Sequence, residues 1–366
     1  MTPRRVIVVG GGVMGSSAAW HLASRGTEVT LFEQFAPGHT RGSSHGTSRI
    51  FRLAYADPFY VSLAVRALPL WRQLEEETGT EVLTLTGALD HGPAAATEAL
   101  WNALTAAGRP AERLTPDQVA ERWPGLRADT TALVHPEAGR LHADNAVIAF
   151  QQAAAKHGAE IRHGLKAVTI TRTSTGAEVI TSDGTATRAD AVVVAVGGWA
   201  PTALAPLVTR TPSLRVTLEQ PAHFPAEDAL SWPSFIHHGG AALPQDSGIY
   251  GLGSIDGVKA GFHGIGPVID PDRSERTPDP AVTRALQEYA ERWLPGADAQ
   301  NPTITTCLYT TTPDHDFVID REGPLTVLAG FSGHGFKFAS VIGELAADLA
   351  TGRPGPDRFT LNRLTG

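Results

Sequence analysis

The chain reads as an α/β protein of two domains, one nucleotide-binding and built on a parallel sheet, the other with a mainly antiparallel sheet and flanking helices. Three observations predict this. The stretch from Val6 to Glu33 has the pattern of a strand, a glycine turn, a helix and a second strand. Two further fully apolar runs, Ala191-Val192-Val193-Val194-Ala195-Val196 and Leu325–Ala329, suit strands buried on both faces of a parallel sheet. Between them lie short β-like runs separated by turn residues, the spacing of an antiparallel sheet. At 366 residues the chain is about twice the usual domain size, so a second domain inserted into the first fits best.

The elements follow in order. Val6–Val9 is the first strand, the residues from Ser16 to Ala23 a helix ending at Gly26, and Glu28–Glu33 the second strand. Gln34 to Ser48 has no periodicity and is rich in Gly, Ser, Thr and His, and a loop of that length in a compact domain is commonly functional. Phe59–Thr78 and Ala94–Ala107 have helical spacing, and Thr115-Pro116-Asp117-Gln118 opens another helix with a capping-box pattern. Asn145–His157 predicts a helix, followed by short strands at Ala159–Ile161 and Ala167–Ile170. Leu214–Glu219, Gly248–Gly251, Val258–Phe262 and Pro302–Tyr309 are the antiparallel candidates, with a helix over Asp279–Trp293. Phe336–Thr351 closes the chain as a helix.

Composition excludes several classes. The net charge is −8 and no dense Lys/Arg cluster offers a track for phosphates, which argues against nucleic acid. No apolar run approaches the roughly 18–20 residues of a membrane span. The basic start, Met1-Thr2-Pro3-Arg4-Arg5, resembles an export signal, but the apolar run Val6–Val9 stops at a glycine cluster, short of the roughly 7–15 residues needed. A cytoplasmic protein is expected. A single cysteine excludes a disulfide scaffold.

Gly10-x-Gly12-x-x-Gly15 follows a strand and opens a helix, and Val13 and Met14 within the turn are cofactor-binding candidates. Its glycines permit, in turn, a tight turn, close approach of a pyrophosphate, and close helix–strand packing. Glu33 ends the second strand, where a carboxylate accepts hydrogen bonds from a ribose. The motif predicts a dinucleotide and does not by itself separate FAD from NAD. His45, Arg49 and Arg52 lie in and just after the polar loop, and two arginines three residues apart can face one carboxylate. Gly333-His334-Gly335-Phe336-Lys337 lies between a buried strand and a helix, where backbone N–H groups, the helix dipole and Lys337 favour negative charge. Cys307, the lone thiol, has nucleophilic or covalent chemistry open to it, and with the glycine turn it suggests a tether for a flavin. His237, His238 and His263 invite a metal, but no second cluster stands at ligand spacing, so no metal is expected.

Taken together, these segments resemble the monomeric sarcosine oxidase family, flavin amine oxidases of the D-amino-acid-oxidase-like group. The likeness runs nearly the whole chain. It includes the glycine turn, the Ser-His-Gly-x-x-Arg-x-x-Arg loop, Trp123-Pro124-Gly125, Ala195–Trp199, Ile249-Tyr250-Gly251, Lys259–His263, Cys307-Leu308-Tyr309 and Gly330–Lys337.

The resemblance implies an FAD-binding Rossmann-like domain in 1–86, 141–211 and 311–366, and a substrate domain in 87–140 and 212–310. It implies FAD joined through the sulfur of Cys307 to the flavin 8α-methyl, with Gln34, Ser43, Ser44, Val168, Gly197, Trp199 and the Gly333–Lys337 segment among the flavin-binding residues. His45 and Arg49 look like flavin-ring neighbours, and Arg52 and Lys337 like the pair that grips the substrate carboxylate. Lys259 looks like the residue that promotes reaction with O₂, and Tyr250, His263 and Tyr309 like the pocket wall. The implied activity is oxidation of a secondary-amine amino acid to an imine, with O₂ reduced to H₂O₂, by a monomeric enzyme. The chain departs from the sarcosine-specific pattern at Ser44, over Phe235–Gly240, and in a shortened turn between Tyr250 and Lys259. These departures leave the substrate open among sarcosine, larger N-methyl amino acids and cyclic ones.

Overall fold

The structure is a computed structural model that describes residues 4–239 and 248–364. Met1–Pro3, and Gly240 of the departing segment, lie outside the described residues. The apolar runs do form one sheet. Its strands stand in the order Val318–Glu322, Leu325–Ala329, Ala191–Val194, Arg5–Val9, Glu28–Glu33, Glu160–His163, all parallel except the first pair. Val6, Ile7 and Val8 are fully buried because helices cover one face and a second apolar layer the other. The helices Val13–Ser24, Ala143–Lys156 and Ala339–Ala350 pack together on the first face, and Pro58–Thr78 lies over them. The other face carries Ala177, Val179, Leu204 and Leu207, and an antiparallel sheet of Ala167–Arg172, Ala177–Thr181 and Ala186–Ala189 adjoins it.

A second sheet of eight strands has its own core around Phe224, Phe235, Leu286 and Trp293, under the helix Pro280–Trp293. It is antiparallel apart from one parallel pair, Ala88–His91 against Ser234–His237. The run Pro302–Tyr309, expected as one strand, divides: Thr303–Ile304 pairs with this sheet, while Cys307–Thr311 leaves it to pair with Arg215–Glu219. The closing helix likewise begins as a 3-10 turn at Phe336–Phe338 and becomes α-helical at Ala339. The capping box at Thr115 forms in both directions, Thr115 Oγ1 accepting from Gln118 N at 3.3 Å and Gln118 Oε1 from Thr115 N at 2.9 Å. Among the described residues no helix is long and apolar enough to cross a membrane.

Candidate active site

A cavity of about 870 Å³ runs from the glycine turn to one face of the eight-stranded sheet, at its strands Ser234–His237, Ile249–Ser254 and Gly257–Phe262. At one end the turn is as tight as backbone allows. Gly10 has φ 103°, and a Cβ on Gly15 would stand 1.9 Å from the Gly10 carbonyl oxygen. Gly15 thus seats the helix on the strand and does not itself line the cavity. Glu33 accepts from Gly11 N at 2.7 Å and Phe35 N at 2.9 Å, so a buried carboxylate holds the turn while it lines the cavity.

The polar loop is pinned at several points. Ser44 Oγ accepts from Val13 N at 3.1 Å, at the helix start, and Ser43 Oγ donates to Leu308 O at 2.7 Å, beside Cys307. Arg49 donates to the carbonyls of Ser43, His45 and Ser48 at 2.7–2.9 Å, and its guanidinium stands over the Phe336 ring. The arginine therefore fixes its own loop and places a full charge inside the cavity.

That charge acts on its neighbours. Burial, then Arg49, lowers Lys259 to about 7. Burial, Arg49 and Lys259 push His45 down to about 4, and its buried Nε2 has no hydrogen-bond partner. Burial pushes the Cys307 thiol up, and Arg49 and Lys259 oppose that. Lys259 sits on the strand Gly257–Phe262, across from Leu252 in a hairpin whose short turn is Ile255-Asp256. Asp256 accepts from Thr47 at 2.5 Å, so the hairpin tip is tied to the polar loop.

At the far end, Tyr250 and Tyr309 are half-buried phenols raised above their ordinary range by desolvation. The His263 ring, 5.4 Å from that of Tyr309, stands exposed at the rim. Gly333 lies against the Tyr309 ring, so close that a Cβ would stand 2.2 Å from it. Lys337 is buried and donates to Tyr55 Oη at 2.9 Å and His334 O at 2.8 Å. Desolvation, then Arg52, holds its ammonium well below the usual lysine range. Arg52 donates through Nη1 to Asp90 Oδ1 at 2.7 Å, and His238 Nε2 lies 2.9 Å from the same oxygen. Asp90 is fully buried, and Arg52 is the largest influence holding its carboxyl ionised against desolvation.

The fold thus brings His45, Arg49, Arg52, Tyr250, Lys259, His263, Tyr309 and Lys337 to one cavity, with Gly10, Gly12, Val13, Met14, Glu33, Gln34, Ser43, Ser44, Gly197, Trp199, Cys307 and Gly333–Phe336. Val168 does not join them. Its side chain is 54% exposed on the outside of its strand, and Lys166 and Ala167 line the cavity in its place. The strand register shifts between Ala167 and Thr169, so Val168 is the extra residue of a bulge and is not aligned with its neighbours.

The model of the DAO family, described as FAD dependent oxidoreductase, matches residues 5–349. The chain belongs to this family of FAD-dependent oxidoreductases. The FAD-dependent oxidoreductase is 35% identical to a monomeric sarcosine oxidase of Bacillus sp. (strain NS-129), over 98% of this chain and 96% of that protein. It is 32% identical to an N-methyl-L-tryptophan oxidase of Yersinia pestis (strain Pestoides F), over 96% of each. Among solved structures it superposes on NikD, an amino acid oxidase essential for nikkomycin biosynthesis, with TM-score 0.85, 25% identity and 98% of each chain covered.

The residues present fit FAD on their own evidence. Gly10, Gly11 and Gly12 line the cavity with bare backbone that a pyrophosphate can approach closely, and His45 offers a buried ring nitrogen that the protein leaves unpartnered in the cavity. Sequence reasoning missed Tyr55 and Asp90 of this oxidoreductase, and weighed His238 only as a metal ligand. Tyr55 stands three residues after Arg52 and was legible as its neighbour, whereas Asp90 and His238 are joined to Arg52 only by the fold.

Proposed function

We propose that this chain oxidises the C–N bond of a secondary-amine amino acid, with FAD tethered through Cys307, and passes the electrons to O₂ to give H₂O₂. The observation that carries the reading is one cavity holding Cys307, Arg49 and Lys259 at its centre and Arg52, Lys337 and an aromatic wall at its end. Bound FAD supplies the two-electron acceptor and its reoxidation by O₂.

The chain's own residues supply the rest. Lys337 and Arg52 offer positive charge to the substrate carboxylate, and the Asp90 contact fixes one arm of the Arg52 fork while leaving its other donors. Tyr250 and Tyr309 desolvate the substrate amine, which favours its neutral, electron-donating form without a dedicated base. Lys259, beside Arg49 and protonated below about pH 7, offers its ammonium where anionic oxygen species develop during reoxidation. Burial of Asp90 against Arg52 reduces the net positive charge of the carboxylate site, so substrates are held less by charge and more by fit to the wall.

The test is an H₂O₂-release screen over sarcosine, larger N-methyl amino acids, cyclic and primary amino acids, with anaerobic bleaching of the flavin followed in parallel. Bleaching and peroxide with secondary amines are expected. Bleaching without peroxide turns the reading to a dehydrogenase, and turnover of primary amino acids alone turns it to a primary amino-acid oxidase.

A further inference from the structure

The parallel pair Ala88–His91 and Ser234–His237 places His91 directly beside His237, with ring centroids 4.0 Å apart. Both rings are buried and face the helix Pro280–Trp293, away from the cavity. Asp129, which follows the Trp123-Pro124-Gly125 turn, reaches both. Its Oδ1 lies 2.9 Å from His91 Nδ1 and its Oδ2 3.3 Å from His237 Nε2. One ligand atom from each of the three lies within 4.8 Å of the others.

We propose that His91, Asp129 and His237 bind a divalent cation of the zinc class, with water completing the coordination. Two imidazoles and one carboxylate are the donor set of borderline ions such as Zn²⁺, Co²⁺ and Ni²⁺. Ligand atoms of a tetrahedral zinc stand roughly 3.3 Å apart, from Zn–N bonds of about 2.0–2.1 Å. The two Asp129 contacts lie within a few tenths of an ångström of that, and the three ligand atoms together stand within 4.8 Å, so the side chains can close on an ion. Neutral imidazoles balance the step: the ion replaces the N–H···O contacts, and each proton moves to the other ring nitrogen. For His237 that nitrogen is Nδ1, which lies 3.4 Å from Tyr289 Oη, the outer hydrogen bond that orients metal-bound histidines. The Asp129 side chain, 24% exposed, gives the ion and its water a path from solvent.

The ion would staple two strands and a loop. The next residues on those strands, Asp90 and His238, face the other way and hold Arg52. The site therefore stands back to back with the carboxylate end of the cavity.

The FAD-containing enzyme is stripped with a chelator, dialysed, and titrated with Zn²⁺ by calorimetry, with Co²⁺ absorption as a second probe. Uptake of one ion per chain, low-symmetry Co²⁺ bands and a Zn²⁺-dependent rise in thermal midpoint are expected. Asp129→Asn removes a partly exposed ligand and should weaken Zn²⁺ by at least about tenfold with flavin content unchanged. His237→Gln should do the same, and its flavin content reports whether the variant has folded. Absence of stoichiometric uptake by the wild type overturns the proposal, as does an Asp129→Asn protein that binds Zn²⁺ as tightly as wild type.

Discussion

The charged side chains of the cavity are held by contacts that also set their charge. Lys259 is buried beside Arg49 without a hydrogen bond of its own among the described residues, so its ammonium is available to a cavity ligand. Lys259→Met keeps most of the volume and removes the charge. Anaerobic reduction of the flavin by substrate should fall only modestly, while reoxidation by O₂ should slow by at least about a hundredfold, the size of a lost preorganised electrostatic contact. Stopped-flow traces separate the two halves, and unchanged reoxidation removes Lys259 from the role. Cys307 lies on the same wall, its thiol resisting ionisation through burial and drawn the other way by Arg49 and Lys259. Acid precipitation of the wild type should give a yellow pellet, and Cys307→Ser should release the colour to the supernatant. A white wild-type pellet with free FAD in solution would rule out the thioether.

At the level of elements, the glycine turn and the helix Val13–Ser24 behave as one unit, because the helix sits against the strand with no side chain between them. A Cβ at position 15 meets the rigid Gly10 carbonyl rather than a side-chain tip that can move. Gly15→Ala should therefore lift the helix start and cost about 1–3 kcal/mol, the usual penalty for overpacking. Reduced flavin content and a lower denaturation midpoint are the expected results, and a variant with wild-type values for both would show that the turn has slack. The hairpin bearing Tyr250 and Lys259 is a second such unit. Its register sets Tyr250 opposite Gly261 and Lys259 opposite Leu252, and the Thr47–Asp256 contact ties its tip to the polar loop. The short turn visible in the sequence is thus what positions the lysine.

For the whole molecule, burying a lysine links stability to pH. An unfolded lysine keeps its proton up to about 10.4, whereas folded Lys259 loses it near 7, so between these values the unfolded chain binds more protons. Stability then rises with pH across that window, by at most about 1.4 kcal/mol per unit from this one group. Lys259→Met carries no such cost. Its stability advantage over the wild type, measured by chemical denaturation of the flavin-free proteins, should shrink as pH is raised from about 7 towards 10. An advantage that stays constant would mean that Lys259 is not buried in its charged form.

What the sequence determined by itself is local. Val6 to Glu33 carried its strand, turn and helix because glycine stereochemistry and apolar runs are properties of neighbouring residues, and the Thr115 capping box is legible for the same reason. Of the residues the family motifs named in advance, all but Gly15 and Val168 line the cavity, Gly15 because it seats the helix on the strand and Val168 because it stands at a bulge. The tertiary structure decided the contacts that join distant segments. Nothing in the spacing of Arg52, Asp90 and His238 announces one ion-paired group, and the division of Pro302–Tyr309 between two sheets depends on partners elsewhere in the chain. His237 invited a metal but had no second cluster at ligand spacing, since His91 and Asp129 reach it only when two strands pair in parallel and a loop folds over them. Coulombic and ligand-forming contacts depend on distance in space, and sequence spacing records that distance only within an element.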